Sequence, residues 1–188
     1  GEEIKIRKKT LHRIKKDYPK NSVLTRSYPR LSPNGKLIVL FESGGMNFSI
    51  YNKKGKKILP YSSYGPIITT YNFSKGSDHF AVGYVNGAVA FYNSDGKELW
   101  NKKITAGKYR VVKSVFISDN GKYVGVIAGL YSEELLVFNN KGKIVWHRPT
   151  GFNQRRKVTG SFSSGNPDKV IIGLPGGAAI YSNPDGEL

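Results

Sequence analysis

The chain has no cysteine, which excludes disulfides, thiolate metal sites and thiol nucleophiles and leaves its redox compartment unmarked. Nor does any apolar run approach the roughly 18–20 residues that a membrane-spanning helix needs. The opening GEEIKIRKK carries charges with no apolar stretch behind them, so it does not read as a secretion signal. The expectation is a soluble protein without a transmembrane segment, either cytoplasmic or exported with a signal removed. The three histidines, His12, His79 and His147, lie far apart, and each reads more simply as a surface or strand-end residue than as a metal ligand. No Gly-x-Ser-x-Gly elbow, phosphate-binding loop or dinucleotide fingerprint occurs. No cofactor is expected on these grounds, and a non-enzymatic protein is the better supported class.

Acidic residues are also few. Thirteen Asp and Glu face thirty Lys and Arg, giving a net charge of +17 over 188 residues. Such an excess favours polyanionic partners: nucleic acid, anionic lipid, or acidic polymers and proteins. The first twenty residues carry eight basic and three acidic side chains, so most of the excess lies further along the chain. A basic tail on a neutral domain does not describe it. Runs of Ala, Leu and Glu are nearly missing, whereas Val, Ile, Tyr and Phe supply much of the apolar content and 22 glycines are scattered throughout. That composition leans to β-structure.

The informative presence is a repeat. YNSDGKELWNKK from Tyr92 has close relatives in YNKKGKKILPYS from Tyr51 and FNNKGKIVWHRP from Phe138, and YSNPDGEL begins a fourth copy at Tyr181. Aligned on Gly55, Gly96, Gly142 and Gly186, the copies are 41, 46 and 44 residues apart. About 18–20 residues before each of these glycines stands a second polar turn: LSPNGK, FSKGSD, FISDNGK and FSSGNPDK. Between the turns lie short β-rich runs. The second copy reads IITTYNFS, HFAVGYV, AVAFYN and ELWNKKI, with Asn86-Gly87 joining the middle pair as a hairpin whose type I′ turn would need positive φ at both positions. Four strands per ~40–45 residues make the blade of a β-propeller. The second strand of each blade (LIVLF, FAVGYV, YVGVIAG, VIIGL) is apolar nearly throughout, as a strand sandwiched between neighbouring blades must be.

The run FYNSDGKELW, with an aspartate, a turn glycine and a tryptophan opening the outer strand, resembles the quinoprotein-type propeller repeat and, more loosely, the WD repeat. FNNKGKIVW matches without the aspartate, and Leu59 stands at the tryptophan position of YNKKGKKIL. The resemblance spans residues ~25–188 and implies an all-β propeller with four recognisable four-stranded blades, at about 25–63, 67–104, 109–150 and 153–188. Trp100 is then expected to pack between blades.

Residues 1–24 form a separate basic segment. The fourth copy stops before its tryptophan position, and GEEIKIRKK aligns with GKELWNKKI, so the N-terminal segment could supply the strand that completes the last blade. The alternative is a part of a larger ring, with the remaining blades from another segment or chain. A third reading makes residues 4–18 a basic amphipathic helix with Ile4, Leu11, Ile14 and Tyr18 on one face.

Function then falls on surfaces. Asp78, Asp95, Asp119, Asp168 and Asp185 all sit in the two repeated turns, where Asp supports the local backbone, so no catalytic carboxylate pair is indicated. In a propeller, the turns joining first to second and third to fourth strands emerge on one side, and here they carry mostly lysine, a composition that also serves plain solubility. The other side takes the blade-to-blade connections, which mix Tyr64, Tyr109 and Phe152 with Arg110, Arg155 and Arg156. Arginine beside aromatics is the composition of binding hot spots and of phosphate or base-stacking sites. These six residues are the candidate binding site. The leading expectation is a non-catalytic interaction platform for an acidic protein or polymer. A nucleic-acid-binding propeller is the first alternative. An enzyme or small-ligand site in the central channel, lined by Tyr28, Arg30, Thr70, Asn72, Ser114 and Ser161 of the first strands, is the second.

Overall fold

The computed structural model describes residues 29–41, 48–59, 67–76, 78–104, 111–129, 133–150, 159–163, 166–174 and 177–182. Its strands follow the repeat. The first blade contains β1 (Pro29–Leu31), β2 (Leu37–Phe41), β3 (Phe48–Asn52) and β4 (Lys57–Leu59). The second contains β5 (Ile68–Phe73), β6 (His79–Tyr84), β7 (Ala88–Asn93) and β8 (Glu98–Lys103). The third contains β9 (Val112–Ile117), β10 (Tyr123–Ala128), β11 (Glu134–Asn139) and β12 (Ile144–Pro149). The fourth contains β13 (Thr159–Ser163), β14 (Asn166–Leu174) and β15 (Gly177–Ser182), three strands among the described residues. Every sheet is an antiparallel meander in sequence order. The first strands β5, β9 and β13 lie beside one another, as strands nearest a propeller axis do. Residues 1–24, and with them the expected ring-closing strand or helix, lie outside the described residues.

Each blade has a leading face toward the blade before it and a trailing face toward the blade after it, and side-chain alternation along the strands divides the residues between them. The trailing Leu37, Val39 and Ile50 of the first blade pack on the leading Phe80, Val82, Ala90 and Tyr92 of the second. Ala81, Val89, Phe91 and Trp100 then meet Val124, Val126, Leu136 and Phe138 of the third. Phe116, Ile127, Leu135, Val137 and Trp146 meet Val170 and Ile172 of the fourth. Ile38, Leu40 and Tyr51, on the leading face of the first blade, form a separate buried cluster with Leu31 packed against it. The core is thus a series of seams between blades, and β6 and β10 are buried on both faces for that reason.

The repeated motif is the lock of each seam. Trp100 lies across the seam, its ring 5.3 Å from that of Phe138 in the next blade, as its place in the repeat predicts. The turn glycine of that next blade, Gly142, sits on the indole: a Cβ built there would stand 2.9 Å from Trp100 Cγ. Gly96 bears the same relation to the first blade, with its hypothetical Cβ 2.6 Å from the Ile58 carbonyl oxygen. Both glycines also have positive φ, 81° and 74°, so two independent constraints exclude a side chain.

The Asn86-Gly87 turn differs from expectation. The Gly87 N–H donates to the Tyr84 carbonyl at 3.1 Å with Gly87 at a φ of 81°, so the turn closes one residue earlier than a two-residue type I′ loop. Val85, Asn86 and Gly87 form a three-residue hairpin loop with Gly at the left-handed position, the same solution used at Gly96 and Gly142.

Tyr92 lies in the first seam, stacked on Phe80 at 4.8 Å and 13°. Burial above all, then the neighbouring Tyr84 and Glu98, pushes its hydroxyl well above the ordinary tyrosine range. The unfolded chain ionises first, near the ordinary value of 10.0, so the contribution of this tyrosine is intact below that pH and is lost as pH rises above it. Thermal melts between about pH 8 and 12 should show a steep alkaline loss of stability that is smaller in Tyr92→Phe. Replacement of Gly142 by alanine should cost ~1–3 kcal/mol in urea unfolding, whereas alanine at Gly177, where an added Cβ would enter open space, should leave the midpoint nearly unchanged.

Candidate functional site

On the side where first-to-second and third-to-fourth turns emerge, each turn is built around one polar side chain that takes the backbone donors. Asn52 Oδ1 accepts the N–H groups of Lys54 and Lys56 at 3.0 and 2.9 Å. Asn93 accepts those of Asp95 and Lys97, and Asn139 those of Lys141 and Lys143, with distances of 2.9–3.1 Å. In the other turn type a buried serine replaces the asparagine at the hub: Ser32, Ser74 and Ser118 accept the N–H of Leu37, His79 and Tyr123. These hubs hold the backbone inward and leave the lysine side chains outward, so Lys36, Lys53, Lys54, Lys56, Lys97 and Lys143 are all exposed. Asn34 Nδ2 donates to the Gly76 carbonyl at 2.7 Å and Lys75 Nζ lies 3.3 Å from Asp119 Oδ2, tying the turns of successive blades together. The ion pair is highly exposed on both sides and contributes little energy by itself. The asparagine hub escaped the sequence reading, which assigned backbone support to the aspartates; its signal was the Asn recurring directly after the aromatic in YN, YN and FN.

The six residues expected to bind on the opposite side, Tyr64, Tyr109, Arg110, Phe152, Arg155 and Arg156, all lie outside the described residues. What is described there is a buried charge pair. Glu133, 1% exposed, pairs with Lys113 of the innermost strand β9. Its backbone carbonyl accepts both the N–H and the hydroxyl of Thr150 at 2.9 Å, and the Thr150 carbonyl accepts the Tyr181 hydroxyl at 2.7 Å. Burial, then the Glu133 charge, raises the Tyr181 hydroxyl above its ordinary value. The network crosses from the third blade to the fourth. Nothing in YSEELL distinguishes Glu133 from the solvent-facing acid beside it, which is why the sequence did not reveal it.

The channel candidates scatter. Ser114 is buried, Asn72 and Ser161 are exposed, and Asn72 Oδ1 accepts the adjacent Phe73 N–H at 2.8 Å. Arg30 is exposed and Tyr28 lies outside the described residues. His79 stacks on Phe91 at 5.2 Å and packs beneath Gly121, while His147 lies 3.4 Å from Glu134 on β11. Among the described residues no group of three His, Asp or Glu side chains could hold a metal ion, and no helix is long and apolar enough to cross a membrane.

A family model for β-propeller proteins matches residues 23–178. The chain belongs to the β-propeller family. Of solved structures, the propeller is similar to Hsv2 of Kluyvelomyces marxianus, with a TM-score of 0.59 and 14% identity over 77% of this chain and 50% of that one. At that identity the likeness speaks for the fold. The propeller blades here thus span about half the length of that relative. No curated protein matches. As described, the propeller is partial: the four sheets follow one another through three seams and do not close into a ring.

Replacing Glu133 by alanine removes the buried carboxylate that pairs with Lys113. It should lower the unfolding free energy by about 3–5 kcal/mol, against under ~1 kcal/mol for the more exposed Glu134→Ala, both measured by urea denaturation.

Proposed function

We propose that this propeller is a non-catalytic interaction platform that takes an acidic protein or polyanionic polymer on a basic face. The fold is compatible with such a role, since stacked blades present fixed turns to a partner. The observation that carries the reading is the lysine rim: hub side chains fix the backbone of each turn, and the cationic groups project from a rigid frame. Pre-placed charges lose less freedom on binding than charges on a mobile loop. The net charge of +17 adds long-range attraction for any polyanion. On the opposite side, Tyr64, Tyr109, Arg110, Phe152, Arg155 and Arg156 are the proposed second contact, by their composition. Arginine next to aromatics also supports a nucleic-acid partner as the second reading.

Charge reversal separates the two sides. Fluorescence anisotropy with labelled poly-glutamate and with a labelled single-stranded oligonucleotide should show binding that weakens steeply with salt. The triple change Lys53→Glu, Lys54→Glu, Lys56→Glu should weaken poly-glutamate binding at least ~10-fold, or ~1.4 kcal/mol. Arg110→Glu with Arg155→Glu and Arg156→Glu reports on the other side. Preference for the oligonucleotide, lost with the arginines, would establish the nucleic-acid reading. Binding indifferent to both variants, or unaffected by salt, would sink both.

A further inference from the structure

The third-to-fourth turns of the first three blades share one backbone, so their side chains can be compared position by position. In each, the hub asparagine N–H donates to the carbonyl of Lys56, Lys97 or Lys143 at 2.9–3.1 Å, and the turn glycine donates to the asparagine carbonyl at 2.8–3.0 Å. The glycine φ is 77°, 81° and 74°. On that common frame the four variable positions read Lys53, Lys54, Lys56 and Lys57 in the first blade, but Ser94, Asp95, Lys97 and Glu98 in the second. The third has Asn140, Lys141, Lys143 and Ile144. The turn therefore folds with lysine, acid, amide or isoleucine, and its architecture does not ask for four lysines.

The first-to-second turns repeat the contrast. Leu37 pairs with Asn52, His79 with Asn93 and Tyr123 with Asn139, so the residue before each, Lys36, Asp78 or Lys122, ends beside the other turn of its own blade. With both turns taken together, the first blade presents five lysines and no acid. The second presents two lysines against three acids, and the third three lysines against one acid. Lys75 of the second blade already pairs with Asp119 of the third. The positive rim is thus concentrated on one blade, beside an acid-bearing neighbour. Five like charges at one sheet end repel one another in the free protein, and a bound anion relieves that repulsion.

The chemistry of the anion follows from what these turns leave available. Phosphate-binding loops aim backbone N–H groups at the ligand. Here the N–H groups of Lys54, Gly55 and Lys56 are all accepted by Asn52. The cationic groups are ammoniums, without the planar fork by which arginine fixes a phosphate. Tyr51, the aromatic residue before the hub, is fully buried and so offers no face for base stacking. Its ring lies 5.7 Å from Lys57 Nζ. What remains is a dense set of point charges on flexible stems, which suits a flexible run of carboxylates.

We propose that the turn end of the first blade is a single docking site for a short acidic peptide segment, held by Lys36, Lys53, Lys54, Lys56 and Lys57. A run of about four to six Asp or Glu residues matches its charge. The inference rests on the reading of the molecule as a platform for polyanions and narrows it to a compact ligand on one blade. A polymer following the rim further would meet Asp78, Asp95 and Glu98.

Isothermal titration of the whole chain with an acetylated hexaglutamate peptide tests this. One peptide should bind per chain, more weakly as salt rises. Rewriting the first blade's turn as that of the second, by Lys53→Ser, Lys54→Asp and Lys57→Glu, should weaken binding at least ~10-fold. The second blade folds with those residues, so the circular dichroism spectrum should not change, and the melting temperature at low salt should rise as the repulsion is removed. An equal change of charge on the third blade, Lys122→Glu, Lys141→Asp and Lys143→Ser, should weaken binding by ~3-fold or less. Conversely, Asp78→Lys, Ser94→Lys and Asp95→Lys should build a second site, and the titration should then count two peptides per chain. Equal losses from the first-blade and third-blade variants would overturn the single site and leave the platform reading in place. Failure of the wild type to bind the peptide would also overturn the site, while binding of long poly-glutamate would still uphold the platform. Peptide binding indifferent to every variant would overturn both. Tighter binding of tripolyphosphate or of a hexanucleotide, lost with the first-blade variant, would overturn the acidic peptide as occupant.

Discussion

The structure depends on the apolar faces that successive blades bury against one another. One four-stranded sheet covers neither face, so it is stable only between neighbours, and the seams replace the single core of a conventional domain. The repeated sentence is a device for making seams. Its aromatic residue points back to the preceding blade, its glycine lets the turn rest against that blade's outer strand, and at Trp100 and Trp146 its indole reaches forward to the following one. Both tryptophans bury an Nε1 that finds no hydrogen-bond acceptor, so the seams tolerate a polar cost to obtain the contact area of the ring.

The same turns give the molecule its surface. An asparagine hub accepts two backbone donors without adding a negative charge beside the lysines, and the turn glycine removes the one side chain that would crowd the seam. Structural economy and surface charge are therefore coupled at Asn52, Asn93 and Asn139. Changing a hub asparagine would disturb both the turn and the position of the lysines it carries, so charge reversal at the lysines is the cleaner probe.

Much of the fold was legible because the constraints recur. Gly55, Gly96 and Gly142 mark turns at nearly constant spacing, and the apolar second strands announce a sheet buried on both sides. Other features were not legible, for distinct physical reasons. Asn and Asp both suit turns, so composition does not reveal which side chain accepts the N–H groups. Glu133 and Glu134 are adjacent and chemically identical, and only the seam geometry buries one of them. The arginine-aromatic set remains a sequence-level proposal, because all six residues fall outside the described structure.

The meander wiring of every sheet also bears on how the chain reaches its native state. Each strand pairs only with its neighbours in sequence, and the connecting turns are short, so the sequence separation of paired residues is small for an all-β protein. Hairpins can close as soon as both arms exist, and each finished blade offers a template for the next. Folding along such a chain propagates, and the glycine turns that fix the geometry of the seams govern its pace as well.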